Sequence, residues 1–82
     1  MNFRAPAEMY TGRQTQAGRV QPYRRFATLA EAVQFAVERQ PAALMCTTIE
    51  TDSERIHSKE IQAAYNSPAF RAAARTLSRQ NG

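Results

Sequence analysis

Covalent catalysis by a side chain needs a thiol or hydroxyl held beside a base, and the chain offers one histidine, His57, and one cysteine, Cys46. If the residues between them pair as a hairpin, His57 faces Thr48, two positions along the strand from Cys46, so a Cys–His contact is sterically accessible. Each residue also has an ordinary structural role. A free cysteine in an apolar strand behaves as a small hydrophobe, and a histidine just ahead of a helix is commonly a capping or surface residue. Asp52, Glu54 and Glu60 add carboxylates, but acids around a hairpin tip generally solvate it, and with His57 they match no metal-ligand spacing. Gly12, Gly18 and Gly82 do not form a phosphate-cradling loop. The expectation is a protein that is not an enzyme and uses neither metal nor organic cofactor.

Arginine carries the second kind of chemistry. Of the eleven basic residues all but Lys59 are arginine, and the net charge is +4. Arg4, Arg13, Arg19, Arg24 and Arg25 face only Glu8 in the first third, Glu50, Asp52, Glu54 and Glu60 crowd the middle, and Arg71, Arg75 and Arg79 close the chain. On a helix the last three form one stripe spanning roughly 12 Å, enough to meet several phosphates or an acidic helix. The same charges favour a helix C-terminus by about 0.3–1 kcal/mol each with no partner at all. Arg24 and Arg25 lie between Tyr23 and Phe26, a mixture found on nucleic-acid surfaces, where guanidinium groups meet phosphate and rings stack on bases. The structural alternative places both aromatics in the core and both arginines at the sheet rim. Phe35 falls off the apolar stripe of its helix, so it either covers a sheet edge or meets a partner subunit.

One helix and one strand must position these groups. Leu29, Ala32, Val33, Ala36 and Val37 repeat at i, i+3, i+4, i+7 and i+8, which is an amphipathic helix. Thr28 and Glu31 have capping-box spacing at its start, and Pro41 stops it. Ala43 to Ile49 is a short apolar run with β-branched residues towards its end, and reads as a strand buried on much of both faces. A turn at Asp52 and Ser53 would set Ile49 against Ile56 and Glu50 against Arg55, both favourable cross-strand pairs, and Thr48 against His57. Upstream, Val20 to Phe26 reads as a strand that Pro22 confines to an edge. Downstream, Ser58 caps a helix over Lys59 to Tyr65, and Ser67-Pro68 starts another to about Arg79 with Phe70, Ala73, Ala74 and Leu77 on its apolar side. Met1 to Arg19, interrupted by Pro6 and then polar and glycine-containing, reads as a mobile arm.

The expected architecture is therefore α+β. A small, mainly antiparallel sheet of about three strands packs against a central helix, with two short C-terminal helices, in a single domain over residues 20–82 behind an arm over 1–19. The connection from the first strand through the helix to the second would be a crossover, making those strands parallel if adjacent. A domain of 82 residues buries only about 60% of its unfolded surface, so self-association would be a natural supplement. The lone cysteine excludes an internal disulfide and suggests a reducing compartment. With no apolar stretch near the roughly 18–20 residues of a membrane helix and no signal-like start, the expected setting is the cytoplasm, away from membranes. The leading functional expectation is a protein-interaction module binding another protein or itself as a homodimer. The alternative is an RNA- or DNA-binding module using Arg24, Arg25, Arg71, Arg75 and Arg79.

Overall fold

Thr28 sets the start of the central helix. Its backbone is extended, at φ −138° and ψ 152°, and its hydroxyl accepts from the N–H of Glu31 at 3.2 Å, which is the hydroxyl half of the expected capping box. The helix, α1, runs Leu29–Glu38. Two further N–H groups in its first turn would be left open, and the beginning of the chain fills them: Leu29 donates to the carbonyl of Ala5 at 2.7 Å and Ala30 to that of Phe3 at 3.0 Å. The computed structural model describes residues 1–12 and 23–81, with side chains of the last helix through Arg75.

The expected N-terminal arm is overturned over its described part. Ala7–Thr11 forms β1, with Ala7 and Met9 buried and Glu8 and Tyr10 turned the other way, the two-residue period of a half-buried strand. Pro6 does not interrupt it, because it precedes the first paired residue. β1 lies inside the sheet. It pairs antiparallel with β2, Tyr23–Phe26, from Ala7–Phe26 to Tyr10–Tyr23, and antiparallel with β3, Thr47–Glu50, from Glu8–Glu50 to Thr11–Thr47. Gly12, at φ 103°, turns the chain out of the strand in a conformation that favours glycine. The rest of the expected arm, and residues 20–22 of the first expected strand, lie outside the described residues.

β4, Arg55–Ile56, completes a four-stranded antiparallel sheet in the order β2-β1-β3-β4. The fold is α+β, as expected, with one strand more. Because β2 and β3 are each antiparallel to β1, they run the same way. The crossover through α1 thus joins parallel strands, but they are not adjacent, since β1 fills the gap between them. The hairpin register agrees with expectation at Ile49–Ile56 and Glu50–Arg55. Its turn is held by Thr51, whose N–H donates to Glu54 O at 2.8 Å and whose hydroxyl accepts from the N–H groups of Ser53 and Glu54. A threonine side chain supplies the local bonds where a primed turn would call on glycine.

The expected strand over Ala43 to Ile49 holds only from Thr47. Pro41–Cys46 is a 3-10 helix, started by a proline whose fixed φ suits a first helical position. Ala43 N–H donates to Gln40 O at 3.0 Å, and the Thr47 hydroxyl returns to Ala43 O at 2.8 Å. Gln40 Nε2 donates to the hydroxyls of Thr11 and Thr47, fastening this segment to β1. The apolar run is consequently not interior: Leu44 is partly buried, Cys46 is exposed, and Met45 is 89% exposed.

The core lies on one face of the sheet, where Met9, Ile49 and Ile56 meet Leu29, Val33 and Ala36 of α1. Helix α2, Ser58–Tyr65, adds Ile61 and Ala64; helix α3, Pro68–Asn81, adds Phe70. His57, rather than Ser58, occupies the cap position of α2. Ser67 joins the two helices: its hydroxyl donates to Ala64 O at 2.7 Å and accepts from Phe70 N–H at 3.2 Å. Phe3 closes the core at its rim, edge-on to Phe70 with ring centroids 5.9 Å apart.

Candidate functional site

The two members of the nucleophile–base pair considered from the sequence sit on different elements, Cys46 in the 3-10 helix and His57 at the cap of α2. His57 Nδ1 lies 3.2 Å from the Thr48 hydroxyl, in the expected cross-strand register, while Cys46 is an exposed free thiol ending the 3-10 helix. Among the described residues no group of three or more His, Cys, Asp and Glu side chains is placed to hold a metal ion.

Arg24 and Arg25, adjacent in sequence, leave opposite faces of β2, as strand alternation requires. Arg25 is in register with Glu8, Glu8 with Glu50, and Glu50 with Arg55, so a charged row crosses the outer face of the sheet. Arg55 Nε donates to Glu50 Oε2 at 2.7 Å. Beside that row the rings of Tyr10 and Tyr23 pack at a tilt of 50° with centroids 5.3 Å apart, and the Tyr10 hydroxyl donates to Glu8 at 3.1 Å, which raises its pKa above the ordinary value. Placing Tyr23 in the core is therefore corrected: it is 49% exposed on the outer face, and only Phe26 turns inward. Arg24 takes the helix side, its guanidinium 4.5 Å above the ring of Phe35, and Phe35 packs on Phe26 at 5.5 Å. Of the two roles considered for Phe35, this geometry is that of a sheet-edge cover.

Arg71 and Arg75 reach a different feature. A broadly open groove of about 650 Å³ is lined by Glu38 of α1, by Tyr65 and Asn66 at the end of α2, and by Phe70, Arg71, Ala74 and Arg75 of α3. Tyr65 and Phe70 form its floor, their rings 4.9 Å apart and inclined at 37°. Local sequence explains the floor: Tyr65 ends α2, Phe70 lies in the first turn of α3, and the Ser67-Pro68 break folds one ring onto the other. Phe70 is buried and Tyr65 half-buried, so the floor is partly open. The Tyr65 hydroxyl donates to Glu38 Oε2 at 2.6 Å; this bond, with some burial and the negative charge of Glu38, raises the Tyr65 pKa above 10. Both arginines are exposed. Arg79 continues their four-residue spacing along α3, with its side chain beyond the described ones.

The structure thus brings Arg71 and Arg75 together at one groove, brings Arg24 to Phe35, and leaves Arg25 on the opposite face of the sheet from Arg24. Sequence reasoning missed Glu38 as a wall of this groove. The available signal was its position near the end of α1, opposite the stripe that packs on the sheet. No protein-family model, curated protein or solved structure matches the chain. Among the described residues no helix is long and apolar enough to cross a membrane. The chain is a small α+β domain whose helical side carries an open cleft lined by two aromatic rings, two arginines and Glu38.

Proposed function

We propose that this chain is a non-enzymatic protein-interaction module and that a partner protein docks in the groove between α1, α2 and α3. The observation that carries the reading is the half-buried Tyr65 ring, packed on Phe70 and lining the same groove as the exposed Arg71 and Arg75. Tyrosine and arginine at the centre of a concave, partly apolar surface are the residue types that dominate binding energy at protein interfaces. A second copy of this chain is one such partner. The exposed, unpaired thiol of Cys46 supports a reducing setting, the cytoplasm.

The nucleic-acid alternative is less well supported by the geometry. It would draw on the same Arg71 and Arg75, but Glu38 stands in the groove, and Arg24 and Arg25 diverge instead of forming one basic patch. Amide spectra of the labelled chain, titrated separately with a pool of random-sequence peptides and with a mixed RNA pool, test the two together. Shifts from the peptides concentrated at Glu38, Tyr65, Phe70 and Arg71 support docking. Shifts from RNA alone, fading steeply as salt is raised, would replace it with the alternative.

A further inference from the structure

The geometry points to the occupant of the groove as an amphipathic helix with acidic residues one turn apart along one edge; this rests on the docking reading above. Helix α3 presents two parallel rails to the groove. Half-buried Ala74 and the small uncovered edge of Phe70, which is only 4% exposed, form a narrow apolar rail, and Arg71 and Arg75 an exposed cationic rail one residue further on. Within each rail the two residues are separated by one turn, a rise of about 6 Å. A helix lying alongside would meet both rails with an apolar stripe and an adjacent stripe of Asp or Glu at i and i+4, each carboxylate facing one guanidinium in a charge-assisted contact. Ala74, with its short side chain, lets a neighbouring backbone come close.

The opposite wall sets orientation. Glu38, held by the Tyr65 hydroxyl at 2.6 Å, turns negative charge towards the other edge of the occupant. An acid on that edge is repelled and a lysine or arginine accepted, so the groove distinguishes the two edges of the incoming helix. An extended segment could match the same spacing with acids at i and i+2, about 6.6 Å apart. Its backbone would then need a sheet edge to pair with, whereas the groove is walled by helices, the setting in which amphipathic helices dock.

Selection from a displayed library of randomised 14-residue peptides against the folded chain tests this. The expected enrichment is Asp or Glu at i and i+4, apolar residues on the adjacent stripe, and Lys or Arg on the far edge. The Arg71→Glu/Arg75→Glu variant changes two exposed residues, so the fold is retained, and it should bind the enriched peptides at least about tenfold more weakly, as loss of charge-assisted contacts implies. Glu38→Lys should shift the far-edge preference to acids. Enrichment of acids at i and i+2, or the same peptides bound equally well by the double-arginine variant, would overturn the inference and leave docking in place. No enrichment of any peptide would end both.

Discussion

Truncating Phe3 to alanine tests whether the start of the chain belongs to the domain. Phe3 is only 9% exposed, its ring meets Phe70 edge-on at 5.9 Å, and its carbonyl accepts from Ala30 N–H at the head of α1. Buried Phe→Ala changes cost about 3–5 kcal/mol, and a side chain at the rim of the core belongs at the low end, about 3 kcal/mol. A chain of 82 residues has a total stability of about 4–12 kcal/mol, so the loss is a large fraction of the whole. With a urea m-value of about 1–2 kcal/mol/M, the unfolding midpoint should fall by roughly 1.5–3 M at unchanged m. The chain has no tryptophan, so far-ultraviolet circular dichroism or tyrosine fluorescence is the readout. Phe3→Leu, which keeps much of the apolar area, should fall between the two. A midpoint change below about 0.3 M for Phe3→Ala is what a residue on a solvated arm would give, and would refute the argument.

Met45→Lys, at a residue of the 3-10 helix that is 89% exposed, should change stability by less than about 0.5 kcal/mol in the same urea assay; a buried strand position would lose several times that. A double-mutant cycle between Arg24→Gln and Phe35→Leu should return a coupling of about 0.5–1 kcal/mol, the worth of an exposed cation–π contact, and a coupling near zero would deny the contact in solution. Tyr65 should titrate above 10 because its phenol donates to Glu38, and Glu38→Gln should bring that value down, followed by the ring signals against pH. The folded state holds this proton more tightly than the unfolded one. The bond's contribution to stability is therefore fully present below pH 10 and is lost as pH rises through the raised folded value.

Strong local signals were the legible ones. The start of α1 is written in Thr28 and its apolar spacing, and the β3–β4 register in the match of Ile49 to Ile56 and Glu50 to Arg55. β1 escaped notice because its inward residues are only Ala7 and Met9. What makes it interior is Phe26 on one side and Ile49 on the other, neither of them near in sequence. The segment Pro41–Cys46 was misread because an apolar run has the same composition as a buried strand or a short helical turn; Gln40 and Thr47, which bond across it, decided the matter. The divergence of Arg24 from Arg25 follows from strand periodicity alone, and so does that of Tyr23 from Phe26, which cannot share a face three residues apart. The arginine spacing of α3 was visible, but the groove it borders is made by three helices meeting, and that no single stripe records.

The placement of Ala7–Thr11 also governs the order in which the molecule can be completed. This segment precedes the other described strands in the chain, yet one of its two sides remains unpaired until Thr47–Glu50 has been made. A nascent chain that has produced only the β1–β2 hairpin therefore carries a bare strand border with Met9 beside it, the kind of surface on which incomplete chains stick to one another. Closing that border joins residues distant in sequence, so the β1–β3 pairing should form later than the backbone ladder within α1, whose bonds join near neighbours in the chain.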